Sequence, residues 1–457
     1  MNFLTIAWRN MRDRALASTL TGLSMALGVA AVICVIVIHG VAVEQFEQDA
    51  QGYHFIVGGN GGRMQLVLST VYHLDKPLYP ISYNTYRKFV DGEFAAYTEV
   101  AVPYCLGDSF VVGDRKFRVV GTTPDLFDRL QYDGETNYAF AEGGRNFKRE
   151  NFFEAVVGSI AASQGGLNVG DTFNPTHGIG GEGNKHREFK IVGILEPTGT
   201  ANDRALFVNA EGFYLIEDHA LTPKKMKLDW ATLSALVEQY VEAGENAPAG
   251  DEPGAPTIGY DNAGNPVEPL PQAQREVTSV LVLCKHPAHS QVLTTNINKS
   301  GSGIQAVAPN EVVPQFLENI VGPVRVVLLV LTALIVLVAA IGILVSIYNS
   351  MSERSHDIAV MRALGASRTA VQLIVLLESV LLSLLGGLAG IVLGHLMIGI
   401  ASPYVEARTG ISLHMFSFDP MELILIPGLV ALAILAGMLP AITAYRTDVA
   451  KALSGTR

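Results

Sequence analysis

The chain has 457 residues, 49% of them apolar, with a mean hydropathy of +0.30 and only 16% charged residues, against about 25% in ordinary soluble domains. That composition excludes a disordered protein and argues against a purely soluble one. A net charge of −11 argues against nucleic acid as a partner, because such binding needs a basic face.

The apolar residues are concentrated. Residues 15–43, 326–352, 379–405 and 423–445 contain no Asp, Glu, Lys or Arg. A helix needs about 20 apolar residues to cross the hydrocarbon core, so four transmembrane helices are expected, at 17–40, 324–348, 370–398 and 422–444. The first stretch competes with a cleaved signal peptide. Arg9, Arg12 and Arg14 resemble its basic leader, and Gly40-Val41-Ala42 loosely resembles a cleavage site. The apolar run far exceeds the roughly 7–15 residues of a signal core, which favours an uncleaved span.

Basic residues near the spans set the orientation. Arg9, Arg12, Arg14, Arg354, Arg362, Arg368, Arg446, Lys451 and Arg457 fall in the segments 1–16, 349–369 and 445–457, against only Asp13, Glu353, Asp357 and Asp448. These segments share one side if both termini are cytoplasmic. The plan is then a span with its stalk (17–44), an extracytoplasmic domain (45–315), a stalk with the second span (316–348), a cytoplasmic loop (349–369), and two further spans (370–398, 422–444) joined by a short external loop (399–421). Residues 310–322 are expected to be helical and continuous with the second span.

The outer domain reads as α+β. Phe117-Arg-Val-Val-Gly121, Phe189-Lys-Ile-Val-Gly193 and Thr278-Ser-Val-Leu-Val-Leu-Cys284 are strand candidates. The first two echo each other, either as marks of two similar halves or as a common strand ending. Helices are expected at 83–90 and at 229–243, where Leu233, Leu236, Val237 and Tyr240 share a face. The Gly- and Pro-rich stretch 244–272 is expected to be an exposed, mobile loop.

Candidates for chemistry are sparse. Residues 58–64 are glycine-rich but lack the Lys-Ser/Thr of a phosphate loop, and read as a flexible turn. Ser159 lacks the frame of a nucleophile elbow. Cys284, His286 and His289 cluster, yet Pro287 and the missing fourth ligand favour a strand end running into a polar turn. No catalytic residue and no metal ligand set is expected. Cys34 lies in an apolar run, leaving Cys105 and Cys284 as the pair that could bridge. Seven of the fifteen tyrosines fall between Tyr53 and Tyr104, and are expected to pack a β-domain more than to form a partner-facing surface.

Within the spans, Glu378 is an intramembrane carboxylate, a functional candidate by default. The preferred reading is a hydrogen bond to a neighbouring helix. His395, deeper in the same span, has no obvious partner. Gly386, Gly390 and Gly394 form a stripe that would let another helix approach closely. The cytoplasmic loop carries a short amphipathic helix, with Ile358, Met361 and Leu364 as its apolar stripe and Val360 beside them. Arg354, Asp357 and Arg362 supply charge around it. Gly365 would end this helix and Ser367 cap the next. Such a helix suits docking into a groove of a cytoplasmic partner, or lies in the membrane interface.

The stretch Glu353-Arg-Ser-His-Asp-Ile-Ala-Val-Met-Arg-Ala-Leu-Gly-Ala-Ser-Arg368, with Glu378-Ser and Gly386-Gly, resembles the FtsX-like permease family of ABC transporters, to which macrolide exporters and lipoprotein-releasing permeases belong. So do Ala7-Trp-Arg-Asn-Met, the first-span segment from Leu23, and the ending Pro440-Ala-Ile-Thr-Ala-Tyr-Arg. Glu154-Ala-Val-Val-Gly-Ser, Leu167-Asn-Val-Gly-Asp-Thr-Phe and Phe189-Lys-Ile-Val-Gly-Ile-Leu look like pieces of the family's extracytoplasmic core domain. Asp448-Val449, His356-Asp357 and Ala359 depart from the usual pattern.

The resemblance implies a non-catalytic permease in the bacterial inner membrane, pairing with a second copy or a sister permease among the membrane lipids, and a periplasmic or outer-membrane partner for some members. It implies a separate cytoplasmic ATPase holding ATP and Mg²⁺, docked on Glu353, Arg354, Asp357, Ile358, Met361, Arg362, Ala363, Leu364, Gly365 and Ala366. Nucleotide-driven closure would move the outer domain, a mode called mechanotransmission, to export or extract a substrate. The alternative within the family is a regulator that activates an extracytoplasmic cell-wall hydrolase.

Overall fold

A computed structural model of the protein describes residues 3–49, 51–178, 185–216, 219, 258–316, 318–319, 322–353, 355–409, 415–416 and 418–446. It divides into two compact units, one made of residues 1–43 and 318–457 and the other of 44–317. The helix expected at 229–243 and the first part of the 244–272 stretch lie outside the described residues.

In the order of the chain, the first unit opens with α1 (Phe3–Asp13) and α2 (Ala15–Asp49). The second unit contributes strands β1 (Phe55–Gly59), β2 (Ile81–Ser82), β3 (Thr98–Val112), β4 (Arg115–Thr122), β5 (Glu154–Val157), β6 (Thr172–Phe173), β7 (Thr176–His177), β8 (Phe189–Ile194), β9 (Ala205–Asn209), β10 (Gly259–Tyr260), β11 (Pro266–Val267), β12 (Glu276–Val277), β13 (Ser279–Cys284) and β14 (Ile304–Val307). Its helices are α3 (Arg63–Thr70), α4 (Tyr83–Val90), α5 (Asp125–Asp128), α6 (Ser159–Gly165), α7 (Ala210–Leu215), α8 (Pro287–Lys299) and α9 (Pro309–Phe316). The chain then returns to the first unit with α10 (Gly322–Glu353), α11 (Ser355–Ala363), α12 (Arg368–Thr409) and α13 (Glu422–Arg446).

The outer unit is built on one mixed sheet in the order β14-β1-β13-β3-β4-β9-β5-β8-β6, with β7 pairing β3. Only β4–β9 and β5–β8 are parallel. The β-branched runs read from the sequence supply β4, β8 and β13. Every residue of β1, β5 and β9 is buried, as expected for strands covered on both faces. Phe152, Phe153, Phe189, Phe207 and Phe55 fill the core.

Several sequence expectations change here. Residues 58–59 are not a flexible turn but the buried end of β1. A Cβ on Gly58 would lie 2.4 Å from Leu66, and one on Gly59 2.4 Å from the Tyr79 carbonyl, so these glycines admit close neighbours. Of the stretch 244–272, the described part forms a hairpin of β10 and β11. Gly264 at φ 81° takes the left-handed position of its loop, and Asp261 accepts from the backbone of Ala263 and Asn265. The polar turn expected after Cys284 is a helix start: His286 caps α8, its Nδ1 accepting from Ala288 N, with Pro287 at the first turn. Cys105 and Cys284 are both free thiols. Tyr72, Tyr83, Tyr86 and Tyr104 are buried while Tyr79 is exposed, so most of the tyrosine group packs the domain. The stretch 310–322 is helical to Phe316 as α9; its join to α10 includes residues outside those described.

Four helices among the described residues are long and apolar enough to cross a membrane: Ala15–Val41, Gly322–Asn349, Arg368–Val405 and Glu422–Leu439. They make this a helical membrane protein with the α+β domain inserted between the first and second spans. The helix of the third span continues beyond residue 398, through Pro403 to Thr409. Only 7% of the α10 window is buried against 50% of that in α12, so the other described residues leave most of α10 uncovered.

Candidate functional site

The segment between the second and third spans has a defined local geometry. Its helix α11 is nine residues long and stops at a Schellman motif. Gly365 adopts φ 102°, its N–H donates to Arg362 O at 3.1 Å, and Ala366 N–H donates to Met361 O at 3.0 Å. A left-handed residue closes the helix at low cost only when it lacks a Cβ. Ser367 then caps α12, its Oγ accepting from Ala370 N at 3.1 Å.

Burial within the segment corrects the expected stripe. Ile358 and Ala359 are buried. Met361 and Arg362 are half-buried. Leu364 caps the last turn, its N–H donating to Val360 O at 3.0 Å, but its side chain is 84% exposed rather than packed with the stripe. Val360 is also exposed. Arg354 and the side chains of Glu353 and Asp357 lie outside the described residues. The segment is thus a helix seated by Ile358 and Ala359 that projects a bare leucine beside its glycine stop.

The glycine stripe of α12 faces α2. A Cβ on Gly386 would lie 2.9 Å from Gly22 O. On Gly390 it would lie 2.6 Å from Ala26 O and from Val29 Cβ, and on Gly394 2.8 Å from Ile33 Cβ. The backbones therefore approach to a distance that only glycine permits. Earlier along α12 the same stripe, carried there by Ser379 and Ser383, meets α13: Ser383 Oγ donates to Leu429 O at 3.1 Å, and a Cβ on Gly437 would lie 2.1 Å from Ser379 Oγ. Glu378 sits beside Ser379 and is buried.

Sequence reasoning misses one contact. His395 has a partner after all: its Nε2 lies 3.0 Å from Glu422 Oε2, and both side chains are buried. Glu422 falls at the very edge of the fourth span, so nothing in the sequence pairs it with a residue inside the third.

These features define a multi-pass membrane protein with an inserted outer domain and a short helical loop before its third span. Comparison with known families agrees. The FtsX-like permease C-terminal model matches residues 329–449, and the MacB-like periplasmic core domain model matches residues 18–245. The chain belongs to the FtsX-like permease family of ABC transporters and carries a MacB-like periplasmic core domain.

Among its relatives is the ABC transporter permease YtrF of Bacillus subtilis (strain 168), 31% identical over 128 residues, which are 26% of this chain and 29% of that protein. Another is the macrolide export ATP-binding/permease protein MacB of Rhodopirellula baltica, 26% identical over 188 residues, 39% of this chain and 27% of that protein. The chain thus spans less than a third of the length of either relative. A solved extracellular domain of the noncanonic ABC-type transporter YknZ from Gram-positive bacteria aligns with 55% of this chain and 98% of that one at 10% identity and a TM-score of 0.26.

Proposed function

We propose that this chain is the non-catalytic permease subunit of an ABC transporter, working in the bacterial inner membrane as a dimer with a second copy or a sister permease. ATP and Mg²⁺ are held by a separate cytoplasmic ATPase. Both termini and α11 lie in the cytoplasm. Nucleotide-driven movement of the ATPase is passed through the spans to the outer domain, which exports or extracts a substrate.

The observation that carries this reading is the α11 segment. A helix fixed at one side by Ile358 and Ala359, stopped by Gly365 and recapped by Ser367, offers an exposed Leu364 on the basic side of the membrane. A rigid mount with a projecting apolar side chain fits a groove in a partner. The tight glycine contacts between α12 and α2 couple the third span to the first, so the two move together.

The test uses the full chain co-expressed with its ATPase. Leu364→Asp leaves the membrane fold intact because the side chain is exposed, and Arg362→Glu reverses a charge on the same segment. We expect each to lower recovery of the complex by at least about tenfold, equivalent to 1.4 kcal/mol, and to uncouple ATP hydrolysis from the permease. Unchanged recovery and unchanged hydrolysis in both variants would remove the docking assignment. Co-purification of a cell-wall hydrolase without substrate movement would replace export by regulation.

A further inference from the structure

Outside the membrane, four side chains from distant parts of the outer domain meet at one point. Asp108 is fully buried, at 0% exposure, and three imidazoles surround its carboxylate. His177 Nδ1 lies 3.4 Å from Oδ1, His186 Nε2 3.5 Å from Oδ2, and His219 Nε2 3.1 Å from Oδ1. The ring centroids form a nearly equilateral triangle, with separations of 5.6, 5.4 and 5.3 Å. From this arrangement we propose that Asp108, His177, His186 and His219 bind one divalent transition-metal ion of the Zn²⁺ class.

Three independent observations carry the assignment. The first is spacing. Four ligands at about 2.0–2.2 Å from a tetrahedral ion stand roughly 3.3–3.5 Å from one another, and the three histidine-to-carboxylate distances, 3.1 to 3.5 Å, bracket that range. One ligand atom from each residue can be chosen so that all lie within 4.8 Å of one another.

The second is charge. A fully buried carboxylate is costly unless a cation or a full set of hydrogen bonds compensates it. Among the described residues no lysine or arginine is paired with Asp108. His219 Nε2 hydrogen-bonds its Oδ2 at 3.1 Å, but Oδ1 accepts no hydrogen bond although two imidazole nitrogens approach it. The contacts to Oδ1 have the separation of ligands sharing an ion without the alignment of hydrogen bonds.

The third is the backbone. The register of β3 against β4 shifts between Leu106 and Asp108. Such a bulge re-aims the side chain beside it. Gly107 belongs to this irregularity, and a Cβ there would lie 3.5 Å from the His219 ring. The short β7 delivers His177 opposite Asp108, and Ser109 Oγ donates to Gly178 O at 2.7 Å to hold that turn. Three imidazoles and one carboxylate form an N₃O set that suits Zn²⁺, with Cu²⁺ and Ni²⁺ as chemically related occupants. The ion would tie the β3 bulge, β7 and the segments bearing His186 and His219 into one unit.

This site does not depend on the docking assignment, and its test needs no ATPase. The full-length protein in detergent is stripped with a chelator, titrated with Zn²⁺ against a competing indicator, desalted and assayed for bound metal. We expect one Zn²⁺ per chain. His177→Ala and His219→Ala should each weaken binding at least about 100-fold, the upper end of what loss of an outer-shell partner alone costs. His286→Ala/His289→Ala, at the other histidine pair of the domain, should leave binding unchanged. Zn²⁺ should raise the melting temperature of the wild type and not that of the His177 variant. Because His177 is the most exposed of the four, at 45%, its variant keeps the test valid should His219→Ala fail to fold. Absence of stoichiometric Zn²⁺ in the wild type, unchanged affinity in His177→Ala, or equal loss in the His286/His289 control would overturn the proposal.

Discussion

His395 of α12 and Glu422 of α13 hold each other at 3.0 Å with both side chains buried. Glu422 also closes the start of its own helix. Its Oε1 accepts from Asp419 N at 3.1 Å, while Asp419 Oδ1 accepts from Met421 N at 2.8 Å. The reciprocal pattern is a capping box, so one carboxylate fixes both the onset of the fourth span and its contact with the third. Glu422→Ala removes the cap and leaves a buried imidazole unsatisfied, each costing on the order of 1 kcal/mol or more. Thermal unfolding in detergent should show a lower melting temperature for Glu422→Ala than for His395→Ala. The double variant should fall short of the sum of the two. Additive losses would mean that the pair does not act together.

The glycine stripe predicts a graded response. Gly390→Ala places a methyl group 2.6 Å from both Ala26 O and Val29 Cβ, so α2 must move away from α12. Overpacking of this kind costs about 1–3 kcal/mol. Gly428→Ala on α13 meets nothing within 4 Å and should be neutral or gain up to about 1 kcal/mol from helix propensity. Heat stability of the two purified variants separates them. If Gly390→Ala is as stable as Gly428→Ala, the close approach of α12 to α2 is not structural.

What is legible in the sequence follows from local physics. Lipid tolerates few charges, so long charge-free stretches mark the four spans directly. Gly365 and Ser367 are readable as stop and cap because each acts within a few residues of itself. The Phe-basic-β-β-Gly runs announce β4 and β8 for the same reason. Contacts that join distant positions are not legible. His395 and Glu422 lie 27 residues apart in the chain, and Asp108 and His219 lie 111 apart; no spacing rule connects either pair. Leu364 stands just before the glycine stop as expected but is exposed, because a periodic pattern does not say which part of a short helix another element covers. Glycines 58 and 59 read as a turn by composition, although what they meet is Leu66 and the Tyr79 backbone.

Cys105 and Cys284 give a chemical check on the core. Burial pushes the Cys105 thiol up to about 12, and burial pushes Cys284 up to about 11. Cys105 lies 3.1 Å from Tyr214 Oη, a contact that only partly offsets that burial. A thiol reacts as the thiolate, so both should resist maleimide in the native protein at pH 8 and label rapidly once it is unfolded. Non-reducing mass spectrometry should find both as free thiols. A mass lower by about two hydrogens, or a bridged peptide joining residues 105 and 284, would contradict the fold of β3 and β13.

His73 makes the outer domain sensitive to acid. Its Nε2 lies 3.0 Å from Asn202 Oδ1, and its Nδ1 is sealed from solvent without a hydrogen-bond partner. Burial lowers this imidazole to about 4, with Arg118 and Arg204 pushing the same way against the bond to Asn202. An unfolded histidine titrates near 6.5. Well above pH 6.5 both states are neutral and the group contributes no pH dependence. As pH falls from about 6.5 to about 4, the unfolded chain takes up a proton that the folded one refuses, so stability drops with acid and levels off below about 4. The loss approaches at most about 3 kcal/mol. His73→Asn removes the titrating ring while keeping a residue tolerated at φ 55°. Unfolding followed between pH 7.5 and 4 should be less steep with pH in this variant than in the wild type. Parallel curves would show that His73 is free to protonate in the folded domain.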